Sequence, residues 1–144
     1  MSQIIIENPV INSPYEEPRR HFRFGDEGIT NEIVNGRRVS SYFIPIARPK
    51  KEGKQLSFNT EWTKERAREN KFINQVRDRV AIWRQGGYAG VTSTTRRLIE
   101  YWQRDGCEFP FFFCQREALE SAIYITEIAH KYGDNWIQNQ LKED

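Results

Sequence analysis

The stretch from residue 111 to residue 123 constrains the fold more than any other part of the chain. It reads FFFCQREALESAI, an apolar run followed by Gln115 and a helix-forming segment. The apolar run is too short to span a membrane, so it predicts a buried segment or strand that leads into a helix. The residues that recur behind Gln115 with the spacing of one helical face are Ala118, Leu119, Ala122, Ile123 and Thr126. We therefore expect a helix over residues 115–132, ended by Gly133.

Three further helices are predicted, which makes about four in all. A helix is predicted over residues 61–85, with Thr60 as the N-cap, an apolar stripe at helical spacing from Phe72 to Trp83, and two glycines after Gln85 as the stop. A second helix begins near Thr92 or Ser93. Asp134 is placed to cap a last short helix over residues 135–142.

The first third of the chain has the pattern of strands and turns. Prolines at positions 9, 14 and 18 make residues 1–20 irregular, and residues 21–24 alternate as a strand does before a turn at 25–28. Asn35-Gly36 lies between two strand-like runs, which predicts a hairpin across residues 29–46. The expected fold class is thus α+β: residues 1–55 form an extended segment and a β-hairpin, and residues 56–144 form a helical region.

Composition excludes several classes of protein. A chain of 144 residues is one domain's worth, and its net charge of +2 does not favour general binding to nucleic acid or to membranes. There is no secretory signal and no run of transmembrane length, and Cys107 and Cys114 are expected to be free thiols. We therefore expect a cytoplasmic protein with no membrane partner.

No complete active site is visible in the sequence, so no catalytic residue and no metal site are predicted. A Gly-rich phosphate loop ending in Gly-Lys-Ser/Thr is absent, as is an acidic box. Two histidines, His21 and His130, and two cysteines do not form a zinc pattern. The sequence Glu52-Gly53-Lys54 matches the end of a metal-nuclease signature, but it lies in a Pro/Gly loop that favours a solvated connection.

Seven arginines are candidate nucleic-acid contacts. Aromatic residues lie between the basic residues of the N-terminal third, a pattern that suits single-stranded nucleic acid, although nearby acidic residues favour paired surface charge instead. Two of the seven lie in the early turns of the second predicted helix, where a cation can face a phosphate or simply be exposed. The seven residues are Arg19, Arg20, Arg23, Arg37, Arg38, Arg96 and Arg97.

Several strings across the chain resemble the start of a large bacterial family, the type III restriction enzyme Res subunits. The strings are NPVINSPYEEP at residues 8–18, HFRF at 21–24, GITNEIV at 28–34, GRR at 36–38, SYF at 41–43, EWT at 61–63, WRQGGY at 83–88, TTRRL at 94–98 and FFCQ at 112–115. The resemblance covers nearly the whole chain.

The resemblance implies a function for a longer protein. Members of this family are similar to superfamily 2 helicases: DNA-dependent ATPases with a Walker A loop, an acidic box and a nuclease domain further along the chain, working with a modification methyltransferase. It also implies that Gln115 contacts the adenine of ATP and that Phe113 lies near the base. ATP is expected only together with the rest of the motor, and no cofactor is expected for these residues alone.

Two functional hypotheses remain. In the first, the chain is the N-terminal segment of a Res-like subunit: inactive alone, packed on the motor core, and in contact with DNA or the methyltransferase through its basic hairpin. In the second, it is a stand-alone interaction protein that binds nucleic acid or a protein partner through a basic-aromatic face.

Overall fold

The computed structural model describes residues 6–25, 28–43 and 67–143. The chain forms two compact units that are not continuous in sequence. Unit 1 contains Met1–Asn12 and Pro18–Lys71, and unit 2 contains Ser13–Glu17 and Phe72–Asp144. The domain boundary predicted near residue 55 lies outside the described residues and stays a prediction.

Unit 1 contains the predicted N-terminal hairpin. Strand β1 (Arg20–Gly25) pairs antiparallel with strand β2 (Gly28–Asn35), with Phe22 opposite Ile33 and an irregularity between Phe22 and Phe24. Together with the four α-helices of unit 2, this hairpin confirms the α+β fold class.

The hairpin predicted across residues 29–46 is wrong in its pairing. Strand β2 pairs with the strand before it, and β3 (Ser41–Phe43) pairs antiparallel with β4 (Ala67–Glu69). Gly36 has the positive φ of +104° that its sequence suggests, but its N–H donates to the Arg19 carbonyl at 2.6 Å and so extends the pairing with β1. Only residues 26 and 27 separate β1 from β2, and the short connection makes this pairing the entropically cheaper one.

Unit 2 is helical. Its α-helices are α1 (Lys71–Gln85), α2 (Ser93–Trp102), α3 (Phe113–Ile123) and α4 (Asn135–Glu143). A π-helical segment (Tyr124–Ile128) and a 3-10 segment (Ala129–Tyr132) continue α3 up to Gly133, which has a left-handed φ of 79°. Thr92 caps α2, since its side chain accepts from the backbone N–H of Thr95.

The first helix begins later than the predicted start at residue 61. Residues 67–69 form β4 and pair with β3, so the helical conformation starts only at Lys71, after Asn70. Pairing with a distant strand has overridden the local helical pattern in these residues. The predicted N-cap Thr60 lies outside the described residues.

The aromatic run before α3 also differs from expectation. Residues 109–112 form neither a strand nor a buried segment; Phe109 is 81% exposed, and only Phe113 is buried. The buried side of α3 and its continuation carries Phe113, Glu120, Tyr124 and Ile128, whereas the predicted face has its two alanines exposed. Alanine gains little from burial, so the larger side chains decide which way the helix faces.

The core of unit 2 lies between α1, α2, the continuation of α3, and α4. The Trp83 ring packs edge-on against Tyr88 at 5.0 Å and Tyr124 at 5.6 Å, and its indole N–H donates to the Ala89 carbonyl at 2.9 Å. The eight buried members of the cluster are Val76, Val80, Trp83, Ile99, Tyr124, Ile128, Ala129 and Ile137.

Candidate functional site

Gln115 lies in the first turn of α3 and is exposed. Its side-chain oxygen Oε1 accepts from the backbone N–H of Phe112 at 3.0 Å. Gln115 is the third residue of α3, so this bond caps the N-terminus of the helix. The amide nitrogen has no hydrogen-bond partner among the described residues. Gln115 is therefore held by one backbone contact, while the NH₂ group of its side chain is left without a partner in this part of the chain.

Phe113 is buried, at 4% exposure, and two guanidinium groups lie near its ring. The Arg84 and Arg116 guanidinium carbons are 5.1 and 5.4 Å from the ring centroid. The exposed ring beside Gln115 is that of Phe112, which packs against Tyr15 at 5.4 Å.

A buried carboxylate, Glu120, organises the side chains behind this helix start. Its Oε2 atom lies 2.7 Å from Nε and 2.6 Å from Nη2 of Arg84, and its Oε1 accepts from the Tyr88 hydroxyl at 2.7 Å. The Tyr88 oxygen in turn accepts from the Gln103 amide at 2.8 Å. Burial and the bond to Glu120 raise the pKa of Tyr88 to about 12, so the hydroxyl is a fixed donor at neutral pH.

Three acidic residues surround Arg84. Besides Glu120, Glu17 lies at 3.4 Å and Glu117 at 3.9 Å from its guanidinium nitrogens. Burial alone lowers the pKa of Arg84, but the hydrogen bond and charge of Glu120 raise it overall, so the group keeps its charge. This network positions Phe113 and the first turn of α3.

Sequence reasoning missed Arg84, Tyr88 and Glu120. One signal was present: Glu120 lies seven residues after Phe113 and four before Tyr124, on the stripe that proves to be buried. A charged residue on a buried stripe requires a partner, but the sequence does not show which of many arginines supplies it.

The five N-terminal arginines lie in unit 1, and their contacts differ. Arg23 pairs with Glu32 at 3.1 Å, and Arg20 donates through Nη2 to the Ile11 carbonyl at 2.6 Å. The Arg38 guanidinium lies 4.1 Å from the centroid of the exposed Phe24 ring. Arg19 is exposed and Arg37 half-buried. The structure thus places all five in or next to the β1–β2 hairpin, and the charge of Arg23 is balanced by Glu32.

The remaining two candidates, Arg96 and Arg97, lie in the first half of α2 in unit 2 and are exposed. Arg96 donates through Nη2 to the Tyr88 carbonyl at 3.1 Å. Residues 48–54, which include the Glu52-Gly53-Lys54 sequence, lie outside the described residues.

Among the described residues, no group of three or more His, Cys, Asp or Glu side chains is arranged to hold a metal ion. Cys107 and Cys114 are both free thiols. His21 donates from Nδ1 to the Gly36 carbonyl at 2.8 Å, and His130 is exposed. In that same part of the chain, no helix is both long enough and apolar enough to cross a membrane.

Comparison with known proteins finds no relative: no protein-family model, no curated protein and no solved structure matches the chain. The roles that the resemblance implies for Gln115 and Phe113 therefore stay predictions.

Proposed function

We propose that the chain is the N-terminal segment of a type III restriction Res-like subunit. In its full-length form such a cytoplasmic subunit would couple DNA-dependent ATP hydrolysis and helicase-like movement to endonuclease cleavage, together with a modification methyltransferase. The described segment would be inactive alone. It would pack on the motor core and contribute an adenine contact to ATP once the phosphate-binding parts of the motor are joined to it.

The geometry of Gln115 carries this proposal. Its Oε1 is held by the Phe112 N–H, and its Nε2 has no partner among the described residues. A side-chain amide can donate and accept at once, and the carbonyl oxygen has a second lone pair beyond the one used by Phe112. Adenine presents a donor at N6 beside an acceptor at N7, whereas guanine presents two acceptors at O6 and N7. A fixed amide at this position therefore suits adenine.

The test uses the natural gene product that contains this segment. We expect DNA-stimulated hydrolysis with a preference for ATP over GTP. Gln115→Glu keeps an oxygen for the Phe112 N–H but loses the amide donor, so it should raise the KM for ATP about tenfold and lower the preference for ATP, with little change in thermal stability. Gln115→Ala should lose both the contact and the helix cap.

Gln140→Ala, on the exposed face of α4, is the matched control and should leave the KM unchanged. A natural gene product without DNA-stimulated hydrolysis would contradict the proposal for the whole chain. Normal hydrolysis with an unchanged KM in Gln115→Glu would contradict only the adenine contact.

A second candidate is a stand-alone interaction protein, and the Arg38–Phe24 pair favours it. An exposed ring beneath an exposed guanidinium offers both stacking and charge to a single-stranded nucleic acid. Binding of a fluorescent oligonucleotide should then weaken steeply with salt, and Arg38→Gln should weaken it more than Lys142→Gln on α4. No binding even at low salt would rule out this nucleic-acid candidate.

A further inference from the structure

Unit 2 contains a cleft that is separate from Gln115. It has a volume of about 360 Å³ and lies between α2, the loop that follows it, and α3. Small-molecule sites in proteins begin at about this size, in the range of roughly 300–1,000 Å³. Twelve residues line it, and Gln115 is not among them. The cleft is therefore independent of the proposed adenine contact.

The walls of the cleft are largely aromatic and aliphatic. The ring centroids of Trp102 and Phe111 are 5.9 Å apart, and the Tyr15 side chain also lines the cleft. Leu119 and Ile123 of α3 and Ile99 of α2 complete the apolar lining. Aromatic side chains stack well on other rings, so this lining favours a ligand with a planar aromatic ring.

The polar lining has an excess of positive charge. It contains two guanidinium groups, Arg104 and Arg116, and a single carboxylate, Glu120. Both Glu120 oxygens already accept hydrogen bonds, from Arg84 and Tyr88. Glu120 is thus held from behind by Arg84 and Tyr88, and within the lining it also pairs with Arg116 at 3.7 Å, so the lining has one more cation than it has anions.

Arg116, in the lining of the cleft, carries a buried donor atom. Its Nε atom is buried and has no hydrogen-bond partner among the described residues; the nearest carboxylate oxygen, Oε1 of Glu120, is 3.7 Å away. That distance is too long for an N–H···O bond. A buried N–H without an acceptor is destabilising, and an oxyanion bound in the cleft would supply the missing acceptor.

We propose that this cleft binds a small aromatic molecule that carries an oxyanion. The ring packs against the Trp102 and Phe111 rings and the aliphatic side chains of the lining. The oxyanion accepts from Arg116, with Arg104 adding charge from the exposed rim. The oxyanion is a carboxylate or a phosphate ester; the two share the acceptor chemistry that the arginines require.

The experiment titrates the chain with four compounds by calorimetry: 2-naphthoate, 2-naphthyl phosphate, 2-naphthalenemethanol and inorganic phosphate. We expect one or both aromatic anions to bind at least about tenfold more tightly than the alcohol and than inorganic phosphate. The tighter of the two anions identifies the source of the oxyanion. In ¹⁵N NMR spectra, the Trp102 indole N–H and the Gln103 amide should shift.

Variants separate the two parts of the proposal. Arg104→Gln, at the exposed rim, and Arg116→Gln should each weaken binding of the anion and leave the alcohol unaffected. Leu119→Trp should fill the cleft and abolish binding. Arg97→Gln, on α2 but outside the lining, is the matched control and should bind within about twofold of the unaltered chain.

Equal affinity for the alcohol and the anions would overturn the role of the arginines. Shifts confined to other parts of unit 2, or binding by Leu119→Trp at unaltered strength, would overturn the site. None of these variants changes Gln115, so none of the three results decides whether Gln115 contacts adenine.

Discussion

Glu120 is 3% exposed, and its oxygens bind the Arg84 guanidinium and the Tyr88 hydroxyl. A carboxylate in such a position is stable only while its partners remain, because an unpaired buried charge is costly. Asp134 is comparable at 4% exposure: it accepts from the Tyr124 hydroxyl at 2.6 Å and from the Trp136 indole at 3.0 Å. Burial and the bond to Asp134 raise the pKa of Tyr124, which stays a donor. Each buried acid thus ties two helical elements together.

Ile128 is fully buried, so its side chain is a direct probe of the core of unit 2. Ile128→Ala should lower the free energy of unfolding by about 2–5 kcal/mol, because it removes apolar contacts and leaves a cavity. Ile82→Ala makes the same chemical change at a side chain that is 63% exposed, and should cost less than about 1 kcal/mol. Urea unfolding followed by far-UV circular dichroism measures both. Equal losses in the two variants would contradict the core as described.

Glu127 gives a pH-dependent prediction. It accepts from the Thr92 backbone N–H and from the Thr95 hydroxyl, and the backbone bond is the main reason that its pKa is lowered. A carboxyl whose folded pKa lies below its unfolded pKa stabilises the fold above the unfolded value, and that contribution is lost as the pH falls through the folded value. Glu127→Gln should therefore lower Tm at pH 7, with the difference from the unaltered chain shrinking below about pH 4.5.

Glu100→Gln, at an exposed side chain of α2, makes the same chemical change and is the matched control; its Tm should stay close to that of the unaltered chain across the same pH range. Thermal scans at several pH values give the comparison. A difference between Glu127→Gln and the unaltered chain that stays constant down to pH 3 would show that the Thr92 contact does not depend on ionisation.

The long helical stretch from Phe113 to Tyr132 changes its winding twice, from α to π to 3-10. A π turn has more residues than an α turn, so a helix face counted along α3 at 3.6 residues per turn no longer follows the same side once the winding changes. Apolar periodicity assumes a constant 3.6 residues per turn, and it does not show such a change.

Gly133 ends that stretch, and its substitution tests the helix end. Its φ of 79° is left-handed, and an added Cβ would have open space, so the cost of Gly133→Ala is backbone strain alone. We expect a loss of about 1–2 kcal/mol in unfolding free energy. Gly86→Ala follows another helix, without a positive φ and with ordinary contacts at 3.5 Å, and should be close to neutral. Similar losses in both variants would contradict the left-handed end.

A short segment of unit 2 interrupts the sequence of unit 1. Residues 13–17 belong to unit 2, where the Pro14 carbonyl accepts from the Phe113 N–H at 2.8 Å and Glu17 reaches Arg84 at 3.4 Å. Tyr15 packs on Phe112 in the same unit. The start of α3 thus depends on residues that lie about a hundred positions earlier in the chain.

Truncation tests this dependence. A chain lacking residues 1–17 should lose the contacts of residues 13–17, and its helical signal should melt at a temperature lower by about 5 °C or more. A chain lacking only residues 1–12 keeps those contacts, and its helical signal should melt close to that of the unaltered chain. Identical melting of the two truncated chains would contradict the assignment of residues 13–17 to unit 2.

The sequence alone determined where most helices end and which class of fold forms. Gly87 and Gly133 mark helix ends, and Thr92 caps α2, because these signals act within one turn of backbone. The alternation at residues 21–24 likewise identified β1.

Tertiary structure decided the remaining features, since each is a choice between competing partners. Asn35-Gly36 was compatible with a hairpin between β2 and the residues after it, but β2 pairs with β1. Residues 67–69 were predicted to be helical, but they form a strand that pairs with β3. The buried face of α3 follows the partners of Glu120 and Tyr124 rather than its small apolar residues. Local propensity is worth a fraction of a kcal/mol per residue, whereas burial and pairing of a side chain are worth about 1–3, so long-range contacts decide.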